Sequence, residues 1–169
     1  WHGRSPYLRS TYRYTPLVAW LNVGNIVLHP DCGKVLFCLA DVLMAGLLRQ
    51  LSRHPRAYLL WLYNPMSVVI SSRGSADSLV ALVVVAMLWC FQRRAMIATG
   101  ALLALAVHLK IYPVLYALPL YLSLAPSKSG AGSWSSVIRR LFRLPSAEQL
   151  RLTLSCLLSL AGLTGLFYA

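Results

Sequence analysis

Arg73, Asp77, His108, Lys110 and Tyr112 fall in two short polar islands, Ser71-Ser72-Arg73-Gly74-Ser75-Ala76-Asp77-Ser78 and His108-Leu109-Lys110-Ile111-Tyr112-Pro113, set at the ends of long apolar runs. A third break, Asn64-Pro65, interrupts the run 58–70. An ionisable group among apolar helices costs on the order of 2.5 to 3.5 kcal/mol at a bilayer centre, so such groups usually line a cavity with a task. Arg73 offers a fork of donors that fits phosphate, Lys110 a point charge, and His108 a donor or proton carrier; together they suit a phosphate leaving group. Asp77 is the one carboxylate in these islands. Its spacing of four from Arg73 stacks the pair on one helix face if Gly74 does not intervene, which favours orienting Arg73 over acting as catalytic base.

The same residues have plainer uses. Arg73 and Asp77 can form a structural ion pair, with Ser75 capping the helix that follows. His108, Lys110 and Tyr112 can anchor a membrane interface, and Asn64-Pro65 can be a kink whose freed backbone groups the Asn64 amide satisfies. Tyr12-Arg13-Tyr14 adds aromatics and a guanidinium near the N-terminus, suited to sugar stacking or to headgroup level. Asp41, deep in an apolar run, is expected to pair with a cation.

The elements that position these groups are apolar helices. The 169-residue chain is 58% hydrophobic with four acidic residues, and its mean hydropathy of +0.63 is too high for an ordinary soluble domain. It reads as an all-α polytopic membrane protein. A net charge of +12 suggests nucleic acid at first sight, but the Lys and Arg residues lie in clusters between apolar runs and form no stripe. Nucleic acid is therefore excluded as a partner, and the clusters are read as topology signals.

About six spans can be drawn, near 35–51, 57–71, 78–92, 95–109, 111–125 and 152–169. Several are shorter than the roughly 20 residues that cross a bilayer squarely. Arg49, Arg53, Arg56, Arg93, Arg94, Lys128, Arg139, Arg140, Arg143 and Arg151 fall on one side, and Arg4, Arg9, Arg13, Lys34, Arg73 and Lys110 on the other. The richer side is assigned to the cytoplasm, so the N-terminal stretch and both polar islands meet on a lumenal face. One transmembrane domain results, with residues 1–34 as lumenal loop and lead-in, 35–125 as core helices, 126–151 as a Gly/Ser-rich then basic cytoplasmic loop, and 152–169 as a further span. Within that loop, 137–144 is a weakly signalled interfacial helix.

Cys38, Cys90 and Cys156 lie inside apolar runs and read as packing residues, with Cys32 at an interface. No zinc spacing, phosphate loop, serine-hydrolase elbow or dinucleotide fingerprint occurs. No metal site or cofactor is predicted in this stretch, and with no ligand cluster in it the metal requirement stays undecided. Trp1 in place of Met, with no leader ahead of the apolar segments, leads to the expectation of a fragment of a longer protein.

The ordered set Ser5-Pro6-Tyr7, Tyr12-Arg13-Tyr14-Thr15-Pro16-Leu17, His29-Pro30, Gly33-Lys34, Asn64-Pro65, Ser71-Ser72-Arg73-Gly74, Ala76-Asp77-Ser78, His108-Leu109-Lys110-Ile111-Tyr112-Pro113 and Ala117-Leu118-Pro119 closely resembles the GPI mannosyltransferase 1 family. The resemblance runs from about Gly3 to Pro119. It implies a GT-C-like bundle in the endoplasmic reticulum membrane with a lumenal active site, in the catalytic subunit of GPI mannosyltransferase I. It further implies inverting transfer of the first α1,4-linked mannose of GPI-anchor biosynthesis, from dolichyl-phosphate mannose to glucosaminyl-(acyl)phosphatidylinositol, with a small stabilising membrane subunit as partner. The Asp-x-Asp motif of that family is absent here and is expected upstream of residue 1, so the chain alone is expected to be inactive. Arg13, Asn64, Arg73, His108, Lys110 and Tyr112 are the candidate substrate-binding residues, and Asp77 is the one catalytic candidate left. Another dolichyl-phosphate-sugar-dependent GT-C transferase, a transporter segment, or a non-catalytic assembly subunit are the alternative readings.

Overall fold

The computed structural model describes residues 15–54, 56–125 and 144–168. Among these the regular structure is helical throughout: α1 (Pro16–Leu21), α2 (Gly24–Val27), α3 (Cys32–Leu51), α4 (Ala57–Leu62), α5 (Pro65–Ser72), α6 (Asp77–Gln92), α7 (Met96–Leu109), a 3₁₀ helix (Tyr112–Tyr116), α8 (Ala117–Ser123) and α9 (Ala147–Tyr168). Arg13 and residues 126–143 of the predicted cytoplasmic loop lie outside the described residues.

Helix covers most of each predicted span, but two spans are divided. The run 57–71 splits into α4 and α5 because Pro65 cannot donate to the preceding turn. Asn64 makes the break cheap: its Oδ1 accepts the Met66 N–H at 3.0 Å, and Pro65 occupies the first helical position, where a missing donor costs nothing. The run 111–125 splits into the 3₁₀ helix and α8. Lys110 ends α7 in an extended conformation (φ −149°, ψ 143°), and Pro113 follows.

Between α5 and α6 the chain bends by 120°. Gly74 makes this turn at φ +74°, while the Ser75 N–H reaches back to the Ile70 carbonyl at 3.2 Å, a hydrogen-bonded helix stop. The α6–α7 turn has the same backbone pattern with Arg94 in the left-handed position at φ 61°. The Arg94 side chain pairs with Glu148 of α9 at 2.8 Å.

The core lies where α3, α6 and α7 meet, around Phe37, Val80, Met87 and Leu103. Helix α9 packs along α7, and Gly100 permits the contact: a Cβ there would stand 2.5 Å from the Leu152 carbonyl oxygen. The Ser155 hydroxyl donates to the Ile97 carbonyl across the same seam at 2.7 Å.

Directions follow from the end contacts. Trp89 donates to Gln50 at 3.1 Å where α6 and α3 finish, and Lys34 at the start of α3 approaches Gly74 before the start of α6, so these two helices run the same way. Helix α7 returns antiparallel to α6, and α9 runs alongside α7. Lys34, Gly74, Asp77 and Lys110 thereby collect at one end, and Gln50, Trp89, Arg94 and Glu148 at the other.

Apolar side chains also face outward. Val35, Leu39, Val42 and Leu43 form an exposed stripe on α3, as do Leu154, Leu157, Leu158 and Leu166 on α9. Water does not favour such a surface. Among the described residues one helix, Ala147–Phe167, is long and apolar enough to cross a membrane; α5 and α6 pass that test only if counted together across their bend. Cys38 is exposed on α3, contrary to the packing role expected of it, because its position falls on this outward stripe; all four cysteines are free.

Candidate functional site

A cavity of about 260 Å³ opens at the Lys110 end, lined by Trp61 of α4, Ser67 and Ile70 of α5, Asp77, Ser78 and Ala81 of α6, and Tyr112 of the 3₁₀ helix. Four elements meet there: α4 and α5 are divided at Asn64-Pro65, α5 turns into α6 at Gly74, and the chain returns along α7 to the 3₁₀ helix after Lys110.

Asp77 and Lys110 meet at the mouth. The Lys110 ammonium donates to one Asp77 carboxylate oxygen, and the Ser75 hydroxyl donates to the other at 2.8 Å. Lys110 is partly shielded at 24% exposure and Asp77 less so at 40%, so solvent screens part of their attraction. The expectation that Asp77 orients Arg73 gives way to this arrangement. Helical spacing between residues 73 and 77 does not exist, since Gly74 reverses the chain between them, and Arg73 closes α5 as an exposed residue. Ser75 also takes the Asp77 N–H at 3.5 Å, a long version of the expected cap.

Beneath the cavity lies Asp41, 8% exposed. One of its oxygens accepts the Trp61 indole N–H at 3.2 Å and the other the Ser78 hydroxyl at 3.3 Å. Its partners among the described residues are thus neutral donors and not the expected cation: a carboxylate with both oxygens hydrogen-bonded can stay buried without an ammonium beside it. The residue joins α3, α4 and α6 in one network.

Of the candidates from sequence, Asp77, Lys110 and Tyr112 are brought together. His108 is buried inside α7, its ring 5.6 Å from that of Phe167 on α9, and Asn64 is an exposed cap. Trp61, Ser67 and Ser78 were not singled out by sequence. The signal that could have found them is Asp41: an acidic residue in an apolar run demands donors, and a nearby indole and buried serines are what the chain can supply.

Further toward the N-terminus, the Asn25 side chain accepts the Gly33 N–H at the start of α3 and donates to Asn22 at 3.2 Å. Lys34 pairs with Asp31 at 2.8 Å and holds that exposed carboxyl below its ordinary range, by hydrogen bond first and by charge second. Among the described residues no three His, Cys, Asp or Glu side chains gather as a metal-holding group.

Fold and site together define a chain that is helical and apolar outside over its described residues, with a mainly apolar cavity carrying a few polar groups at one end of its helices. The family model described as Mannosyltransferase (PIG-M) matches residues 70–169. The chain is 43% identical over 131 residues to "GPI mannosyltransferase 1" of Dictyostelium discoideum, covering 72% of this chain and 30% of that one. It is 44% identical over 136 residues to "GPI alpha-1,4-mannosyltransferase I, catalytic subunit" of Danio rerio (75% and 35%), and 37% identical over 140 residues to "GPI mannosyltransferase 1" of Saccharomyces cerevisiae (78% and 35%). No solved structure matches it. The chain belongs to the PIG-M mannosyltransferase family, as its motifs indicated, and spans about a third of the length of these curated relatives.

Proposed function

We propose that this chain is the part of a GPI mannosyltransferase I catalytic subunit that receives the lipid-linked sugar phosphate. The reaction is transfer of the first α1,4-linked mannose from dolichyl-phosphate mannose to glucosaminyl-(acyl)phosphatidylinositol, at the lumenal face of the endoplasmic reticulum membrane. One observation carries the reading: Lys110 and Asp77, from islands far apart in sequence, close on each other, and Asp77 lines a cavity of mixed polar and apolar walls. The names of the relatives and the family supply the chemistry that such a cation would serve.

In this reading the acceptor hydroxyl attacks the mannosyl anomeric carbon opposite the phosphate, the carbon–oxygen bond to phosphate breaks, and dolichyl phosphate leaves. Lys110 neutralises the charge growing on that phosphate, with Arg73 as a second cation from the same end. Asp77 holds Lys110 in place until the phosphate replaces it, and the Tyr112 hydroxyl adds a donor. The acceptor proton passes to a base, for which Asp77 is the carboxylate at this cavity, although its pairing with Lys110 suits positioning better. The six apolar segments are read as parts of a GT-C-like multi-pass bundle, with α5–α6 as a broken span, and a small membrane subunit as stabilising partner.

The test is surface display of GPI-anchored protein in cells lacking the first GPI mannosyltransferase. The full-length parent of this chain, expressed with its own partner subunit, is expected to restore display, and an equally abundant Lys110→Ala form is not. A correctly localised parent that restores nothing overturns the acceptor assignment.

A further inference from the structure

We propose that the 260 Å³ cavity seats a single hexopyranose ring, that the Trp61 indole is its stacking face, and that Asp41 is a positioning residue which fixes that indole. The proposal rests on the transferase reading above and deepens it. Pockets for drug-sized ligands run from about 300 to 1,000 Å³, so a cavity of 260 Å³ suits one ring and not two. A pyranose presents an apolar face of C–H groups and an equatorial fringe of hydroxyls. An indole and a phenol meet the first need; the Ser67 and Ser78 hydroxyls and the Asp77 carboxylate meet the second.

Asp41 ties this wall together. A carboxylate at 8% exposure whose partners among the described residues are neutral is costly, and a leucine would pack there at less expense. What it supplies is geometry. From α3 it holds two wall residues of two other helices, Trp61 at 3.2 Å and Ser78 at 3.3 Å, one on each oxygen. The indole N–H is thereby satisfied by a residue outside the cavity lining, so the indole needs no polar partner from a ligand and can serve it by stacking. At the mouth, Lys110 on Asp77 stands where a phosphate attached to the ring would emerge. Donor and acceptor both carry a terminal hexopyranose, the donor's bonded directly to its lipid phosphate and the acceptor's one inositol ring away from it, so the shared chemistry is the pyranose ring and the experiment separates the two.

The experiment uses the full-length parent with its partner subunit. Ala81, which lines the cavity, is changed to cysteine, and labelling by a small thiol reagent is followed against the unsubstituted parent. The probes are synthetic glucosaminyl phosphatidylinositol and a short-chain prenyl phosphate mannose, each compared with the same lipid lacking its sugar. Protection by a sugar-bearing lipid but not by its sugar-free form supports the proposal, and which lipid protects assigns the ring to acceptor or donor. Equal labelling with and without the sugar overturns it.

In the kinetic arm, Trp61→Ala is expected to raise the KM of that same substrate by about three- to tenfold, with kcat changed less. Asp41→Leu is expected to follow Trp61→Ala, and Asp41→Asn, which keeps an acceptor for the indole, to rescue most of the loss. If Trp61→Ala does not accumulate, Ala81→Leu fills the cavity without touching Asp41, and a folded Ala81→Leu protein with unchanged KM for both substrates overturns the proposal. A parent that transfers no mannose yet shows sugar-dependent protection overturns the transferase reading and leaves the cavity; transfer without protection does the opposite.

Discussion

Lys110 and Asp77, 33 residues apart in the chain, form an ion pair at the edge of the cavity that Asp77 lines. If the pair works as a unit, its members should not act independently. In the full-length parent, Lys110→Met is expected to lower mannosyl transfer about 10- to 100-fold, and Asp77→Asn to lower it less. The double variant should be no worse than Lys110→Met alone. Microsomal transfer assays of the three forms test this, and additive losses would separate the two residues.

Arg73 is exposed and stands apart from the pair, so its contribution should be to affinity. Arg73→Ala is expected to raise the donor KM by about three- to tenfold while membrane insertion stays as before. Donor titration and protease protection of the inserted protein are the two readouts.

The seam between α7 and α9 tolerates little change. With a Cβ at position 100 only 2.5 Å from the Leu152 carbonyl oxygen, Gly100→Ala forces backbone apart, at a cost of about 1 to 3 kcal/mol. A lowered thermal midpoint in detergent, measured by fluorescence-detected gel filtration, is the expected result. An unchanged midpoint would mean that the helices part freely.

At the opposite break in the chain, Asn64→Ala removes the acceptor for the Met66 N–H. About 1 kcal/mol should be lost, with Asn64→Asp retaining nearly all of it. The same thermal measurement decides, and transfer activity of the surviving protein should be normal if Asn64 serves only as a cap.

Arg94→Gly combines two opposed effects. Relief of the left-handed backbone gains about 1 to 2 kcal/mol, while the exposed pair with Glu148 gives up about 0 to 1. A slightly higher midpoint is expected, and Glu148→Gln alone should move it little.

Helices were legible in the sequence because long apolar runs punctuated by Pro, Gly and charge leave few other options. The breaks were partly legible: Asn64-Pro65 was seen, but not that it divides one predicted span into two helices, since proline can kink a helix or end one. Asp77, Lys110 and Tyr112 could be gathered on one side from charge alternation alone. Partner choice could not. The i, i+4 spacing pointed Asp77 at Arg73, and only the conformation of Gly74 rules that out. Asp41 announced a need without naming who meets it, because its donors come from 20 and 37 residues away.

The mouth formed by Asp77 and Lys110 carries no net charge while the two are joined. A phosphodiester arriving there finds no electrostatic lure from this pair; it gains the lysine only by evicting a resident counter-ion. Capture is then an exchange of partners, governed by how long the old contact lasts more than by how fast the lipid diffuses, and its rate should depend little on ionic strength. In the proposed reading the carboxylate so released keeps Ser75 on one oxygen and has the other open, so the event that would secure the phosphate would also free Asp77 for a hydroxyl of the ring.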